Sequence, residues 1–533
     1  MMKLVPTGEQ VTAIDLVNVE QFVKLVAFAG CSKTTTLTMV AHQLNERSLY
    51  LAYNKAMADD AKGKFPEWVT VKTTHSQAFG LYGSQLASKL NRPSGGYVNV
   101  CGTGSEIARY FHAKPIMRKV AGVWVPFITA PGIGVAIKET VNAFEFSADR
   151  EIEFKHISHT ALRDKEASQI SPEILKEYRR VVLNAAQKLW SLRTDPTSDI
   201  LCTHDTYLKL YQLSNPDLSG YKIIYLDEGQ DTNECVLDII KRQVNSKIVV
   251  VGDPYQQIYQ FRGSINAMQK LPYKMTGLSQ SFRFGQEIAD IANAILSCGG
   301  PKVNIRGWEN VKSRVLESVD QSKLTFTYTI LYRTNMALIL DAVEYLEKGK
   351  KVNLEIDVKD FIKLLESALE LKNGNKAGVK HESLLAYLDW GDFTAEVEGK
   401  SSDLSRIHKI IEENRHEKII TMLKTQKNVP KPDIIMTTAH KSKGREFDVV
   451  ILASDFPSNY NQQGEWVGLN EAERNLLYVG STRARRVLVT NRTVKEILNR
   501  LAGHSDASKV SAEFNDQMRK QIKELTKDME FRE

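Results

Sequence analysis

Ala27-Phe-Ala-Gly-Cys-Ser-Lys33-Thr34 is the stretch on which the reading of this chain turns. It follows the form of a phosphate-binding loop, G-x-x-x-x-G-K-[ST]. There, backbone N–H groups cradle phosphates, the lysine reaches the outer two, and the hydroxyl holds Mg²⁺. Lys33 and Thr34 are in place, while Ser32 stands where the glycine before the lysine belongs. The apolar run Phe22–Phe28 ahead of the loop reads as a buried strand, and Thr34–Leu44 behind it as a helix. Strand, loop and helix in that order are the context a phosphate loop requires. Ala29, Gly30, Cys31, Ser32, Lys33, Thr34 and Thr35 are therefore the expected nucleotide-binding residues, with Thr34 on the metal.

The chain has 533 residues, 42% hydrophobic and 25% charged, which suits a protein of two to four domains with cores of their own. No run of about 18 apolar residues occurs, and the first residues lack the apolar core of a signal peptide. Five cysteines (Cys31, Cys101, Cys202, Cys235, Cys298) lack paired metal-ligand spacing. That argues against a zinc or iron–sulfur site and suits a reducing compartment, cytoplasmic or nuclear. A net charge of +7 permits a polyanionic partner without requiring one.

Four β-like runs (Phe22–Phe28, Ser48–Tyr53, Lys222–Leu226, Lys247–Val251) each end in a polar turn. This is the pattern of a parallel sheet with its site at the strand C-termini. Residues 85–200 read as an insertion between the second and third runs. A second α/β unit is expected from near Met275, with Tyr328–Tyr332, Asp433–Thr437, Val449–Ala453 and Val487–Thr490 as strands, interrupted by a charged helical insertion over 341–431. The expected units are thus 1–84 with 201–274, and 275–340 with 432–500. A charged amphipathic helix follows over 501–533.

The third run delivers Asp227-Glu228-Gly-Gln230-Asp231. Two adjacent carboxylates at a strand end suit hydrolysis of a Mg–nucleotide: Asp227 holds the Mg²⁺ shell with Thr34, and Glu228 polarises the attacking water. The fourth run leads into Gly252-Asp-Pro-Tyr-Gln256-Gln-Ile-Tyr259-Gln-Phe261-Arg262-Gly263. Gln256 can sense a γ-phosphate. Tyr259 and Phe261 can stack on bases, with Arg262 on a backbone phosphate, or the two aromatics can be core residues.

Asp227–Asp231, Gly252–Gly263, Gln280-Ser-Phe-Arg283 and Asn475-Leu-Leu-Tyr-Val-Gly-Ser-Thr-Arg483-Ala484 resemble successive motifs of the superfamily 1 UvrD/Rep helicases. Thr203-His-Asp-Thr-Tyr-Leu-Lys209, Ser281-Phe-Arg-Phe-Gly285 and His440-Lys-Ser-Lys-Gly444-Arg-Glu446-Phe447 are similar to the F-box DNA helicase branch. The motifs run in family order from Gln10 to Arg483. The resemblance implies two RecA-like P-loop lobes with parallel sheets, each carrying an inserted, mainly helical subdomain. It further implies an ATP- and Mg²⁺-dependent DNA translocase and helicase, 3′→5′ in direction, acting on single strands and single-strand/duplex junctions. Replication, repair or recombination is the expected setting, with proteins of those processes as partners and no membrane. By the same resemblance Gln10 reads adenine, Phe282 stacks on it, Glu446 lies near the ribose, and Arg283 and Arg483 reach the γ-phosphate from the second lobe. Asn54, Thr74, His75, Tyr259, Phe261, Arg333 and His440 match positions along the single strand.

Ser32 departs from the family pattern: its Cβ and hydroxyl can bond a phosphate or crowd it. The insertion at 341–431 is shorter than in the larger bacterial relatives. No nuclease domain is expected after Arg483 and no F-box-like segment before Gln10. Two rival readings use the same scaffold, a hydrolysis-impaired DNA clamp and a translocase that strips recombinase filaments.

Overall fold

The computed structural model describes residues 5–90, 102–120, 122–159, 162, 171–260, 263–300, 303–400 and 402–503. Fourteen named strands fall within them: β1 Phe22–Ala27, β2 Ser48–Ala52, β3 Val69–Thr73, β4 Ile116–Val120, β5 Val123–Ile128, β6 Ile223–Leu226, β7 Lys247–Gly252, β8 Lys274–Leu278, β9 Arg314–Leu316, β10 Tyr328–Tyr332, β11 Val352–Leu354, β12 Ile434–Thr438, β13 Phe447–Leu452 and β14 Ala484–Val489. The expected tail at 501–533 lies, from residue 504 on, outside the described residues.

Two six-stranded sheets form the frame, in the orders β3-β2-β6-β7-β1-β8 and β11-β12-β10-β13-β14-β9. Every pairing in both is parallel. The central strands are near-continuous runs of Ile, Val and Leu because helices cover both faces of each sheet. Alternation divides their side chains between the faces: Ile224 and Leu226 of β6 join one core, while Ile223 and Tyr225 join the other. The second sheet divides likewise, Ile330 and Tyr332 of β10 on one side and Leu331 on the other. These are two RecA-like lobes, as the sequence leads one to expect.

The pairing moves two expected boundaries. The strand Lys274–Leu278 hydrogen-bonds with β1 and is the edge of the first sheet, so the second unit does not begin near Met275. The insertion expected from residue 341 also begins too early. The helix Asn335–Glu347 packs on the second sheet, and β11 pairs with β12 inside it. Helical insertion proper starts at the helix Val358–Lys372 and continues through Trp390–Val397, Asp403–Glu412 and His416–Thr425. In the first insertion the helices Ala130–Phe146 and Pro172–Thr194 share a core built on Ile133, Ile137, Phe144, Tyr178, Val182 and Leu189. The antiparallel hairpin β4–β5 adds Phe127 and Ile128 to it. Among the described residues no helix is long and apolar enough to cross a membrane.

Strand order decides where the site forms. β1 lies between β7 and β8, with β6 beyond β7. The loops leaving the C-terminal ends of β1, β6, β7 and β8 therefore open side by side, and they carry Ser32–Thr34, Asp227–Asp231, Asp253–Gln257 and Ser279–Arg283.

Candidate nucleotide site and single-strand clefts

Ala27 closes β1, and the helix Lys33–Leu44 starts six residues later. The quoted loop pattern has glycine at this first position too; alanine suffices here because the residue keeps strand backbone. Gly30 has φ of +77°, and a Cβ there would come within 2.4 Å of Ser281 Oγ and 2.7 Å of Arg283 Cβ. Its carbonyl accepts from the Phe282 amide at 2.9 Å. Glycine is thus required at 30 by the close approach of the segment after β8. Ser32 also adopts the left-handed conformation, φ 53° and ψ 44°. The chain keeps the backbone that a glycine would favour and accepts the strain of a Cβ, roughly 1–2 kcal/mol. Ala29 is buried, and its amide donates to the Tyr478 hydroxyl at 3.0 Å. Burial pushes the Cys31 thiol far up. Thr34 and Thr35 lie in the first helical turn.

Lys33 Nζ lies 2.5 Å from Glu228 Oε1. Burial works against the charge on Lys33, but Glu228 and Asp227 override it and hold the ammonium up. Burial likewise works to raise the Glu228 carboxyl; Lys33, then Lys443, hold it down at about 2. Asp227 goes the other way, raised by burial and by Glu228. Glu228 has a left-handed backbone at φ 52°. Gln230 clasps Glu228 with its amide nitrogen, and its oxygen accepts from the Asp253 amide at 3.0 Å. Tyr50, on the neighbouring β2, donates to Asp227 and touches the Thr34 hydroxyl.

The second lobe completes the wall. Gln256 donates to Asp253 at 2.7 Å and accepts from Arg483 Nη2 at 3.3 Å. Arg483 is 1% exposed; burial first, then Arg283, pull its guanidinium down to about 9. Arg283 binds Glu446 at 2.8 Å and the Thr482 carbonyl at 3.0 Å. Glu446 is thus tied to an arginine of the same site. Phe282 is half-buried and packs edge-on against Trp308 at 5.5 Å. Gln10 is buried over the helix Lys33–Leu44, donating to Thr36 at 3.1 Å and accepting from the Thr7 amide at 2.9 Å.

The oxygen donors around Thr34 and Asp227 fit a hard divalent cation. Among the described residues no group of three or more His, Cys, Asp or Glu is set to hold a metal by protein ligands alone.

The residues expected along the strand fall in two clefts. Asn54 and His75 line one of about 830 Å³ with Tyr53, Phe79, His204 and Tyr207. Thr74 opens the short helix that carries His75, and Asn54 caps the helix Lys55–Lys62. His75 lies 3.1 Å from Asp205. Arg333 and His440 line the other cleft, about 330 Å³, with Gln257, Gln260 and Glu473. Arg333 is committed there to a two-pronged pair with Glu473, at 2.7 and 2.5 Å. Tyr259 joins the clefts: its ring lies parallel to Tyr53 at 6.2 Å, and its hydroxyl donates to the His440 carbonyl at 3.0 Å. Phe261 and Arg262 lie outside the described residues.

Five residues that hold this site together escaped the reading of sequence: Tyr50, Gln230, Asp253, Lys443 and Tyr478. Four lie within the quoted motifs and could have been found there; Tyr50 looks like any other strand aromatic.

Two RecA-like lobes facing each other across a phosphate loop define the class of this protein. Residues 35–494 match the model of the UvrD-like helicase C-terminal domain. The chain belongs to the UvrD-like helicase family. It is 30% identical over 514 residues to F-box DNA helicase 1 of Gallus gallus, covering 90% of this chain and 48% of that one. Against F-box DNA helicase protein 1 of Schizosaccharomyces pombe it is 30% identical over 531 residues, 92% of this chain and 58% of the relative. A shorter match, 29% over 145 residues, is to the ATP-dependent DNA helicase PcrA of Leuconostoc citreum, covering 22% of this chain and 19% of the relative. The chain spans about half the length of its two long-matching relatives.

Proposed function

We propose that this protein is an ATP-driven single-stranded DNA translocase and DNA helicase, 3′→5′ in direction, serving replication, repair or recombination. The observation that carries the reading is the bridge from Asp253 through Gln256 to Arg483, which spans the two lobes beside Lys33 and Glu228. Names of the relatives support DNA as the substrate class.

The chemistry follows from the residues. Lys33 leaves Glu228 for the outer phosphates as nucleotide enters, and Glu228 is then free to orient and polarise water. Arg283 and Arg483 neutralise charge developing on the transferred phosphoryl group. Thr34 and Asp227 would hold Mg²⁺, which supplies Lewis-acid stabilisation of that same charge. Contacts to the γ-phosphate from both lobes favour the closed cleft, and their loss on hydrolysis favours the open one. Tyr259 spans the two clefts, so opening and closing alternate the grip on a stacked strand, each base worth roughly 1–3 kcal/mol.

The test is ATPase with and without single-stranded DNA, with Lys33→Ala as the inactive control, followed by unwinding of duplexes bearing a 3′ or a 5′ tail. Stimulated turnover and unwinding from the 3′ tail support the reading. No turnover with DNA present sinks it; turnover without unwinding leaves a translocase and removes the helicase.

A further inference from the structure

Lys443 follows β12 in the second lobe, yet its ammonium ends among first-lobe groups. It pairs with Asp231, donates to the Gln256 carbonyl at 2.7 Å and lies 4.0 Å from Glu228 Oε2. The same ammonium stands 5.3 Å from the centre of the Tyr259 ring, within cation–π range. Tyr259 in turn bonds the carbonyl of His440, three residues before Lys443. One cation therefore touches both the carboxylates of hydrolysis and the aromatic that joins the strand clefts.

We propose that Lys443 is the positioning residue through which strand occupancy controls hydrolysis; this rests on the translocase reading above. Glu228 lies between two cations, and when Lys33 turns to a phosphate, Lys443 is the one that stays beside it. The Asp231 side chain is fully buried, and its Oδ1 has no hydrogen-bond partner among the described residues. Its charge therefore depends on Lys443, and withdrawing the ammonium strands a buried carboxylate. A base stacked on Tyr259 fixes the ring, and the ring holds the ammonium over Asp231 and Glu228. With the strand absent, the ring no longer retains the ammonium, Lys443 is free to leave with the second lobe, and Glu228 loses its fixed orientation. The two ends of this relay are physically contiguous, so no longer pathway is needed.

The experiment is the ratio of ATPase at saturating single-stranded DNA to ATPase without DNA, in the full chain. Saturation is established for each variant by fluorescence anisotropy of a labelled strand. Lys443→Met lowers the ratio about tenfold, the scale of an ordinary coupling energy. Lys443→Arg restores part of it. Tyr259→Leu, which leaves the ion pair intact, lowers the ratio at saturation as well, and the double variant falls no further than the lower single. A ratio in Lys443→Met equal to wild type overturns the proposal, as does multiplicative loss in the double. If Lys443→Met does not fold, Tyr259→Leu decides: an unchanged ratio at saturating DNA overturns the relay. Wild-type protein without DNA-stimulated turnover would instead remove the translocase reading, a separate failure.

Discussion

Tyr478 of the second lobe donates its hydroxyl to Asp253 of the first at 2.8 Å and accepts from the Ala29 amide of the phosphate loop at 3.0 Å. Both partners are fully buried or nearly so. One phenol thus pins the loop to the second lobe from behind.

Replacing it tests that pin. Tyr478→Phe leaves the Ala29 amide unpaired and removes one of the two donors to Asp253 Oδ2, which keeps Gln256, at a cost of about 1–3 kcal/mol. Urea unfolding of the variant against wild type measures it. A loss of only a few tenths would mean that the loop is held by other contacts.

Ser32 supplies a second test. Its left-handed backbone strains a residue that has a Cβ, so Ser32→Gly gains up to about 1 kcal/mol and keeps DNA-stimulated ATPase. Ser32→Val loses stability, because a β-branched side chain tolerates that conformation least. Equal stability of the three proteins would show that the loop relaxes freely around the position.

The arginines separate charge from geometry. Arg283→Ala lowers kcat by on the order of 10³ while a fluorescent ATP analogue still binds. Arg483→Lys keeps a cation but loses the fork that reaches Gln256, Val479 and Arg445 together, and it falls between wild type and Arg283→Ala. Single-turnover hydrolysis distinguishes these from slower product release.

Asp231 makes stability depend on pH. Burial raises its carboxyl to about 6, with Lys443 opposing and Glu228 reinforcing the rise. A carboxyl raised on folding binds its proton more tightly in the native state. Its contribution is therefore most favourable below about pH 4 and is lost as pH rises through about 6. Asp231→Asn lacks this component, so its stability relative to wild type improves from pH 4.5 to 7.5 in matched urea titrations. A constant difference across that range would place the carboxyl at its ordinary value.

Local order explains most of what could be read in advance. β1, β2, β6, β7 and β10 are runs of large apolar residues, and burial on both faces leaves the sequence no latitude there. β3 (VTVKT) and β8 (KMTGL) carry no continuous apolar run because they are sheet edges, partly exposed and polar. β11 is only three residues long and lies within a helical stretch, too short to show a period even though Val352 and Leu354 are buried. Asp227 and Glu228 are legible because they sit immediately after β6, and Lys33 because it opens the helix that follows the β1 loop, places where backbone geometry alone delivers them. Arg333 was legible as a cleft residue but not as the partner of Glu473, which lies 140 residues further on.

The phosphate loop, the strand-end carboxylates and the order of the motifs are properties of the chain itself: spacing along a strand and a turn is set by covalent geometry. Lys443 on Asp231, Tyr478 between Ala29 and Asp253, and the left-handed backbone at Ser32 are properties of the folded molecule. They bring together groups up to 449 residues apart, and only the stacking of two lobes determines which buried charge finds which partner. Low dielectric in that cleft makes each of those pairings consequential, which is why the site's electrostatics had to be seen in three dimensions.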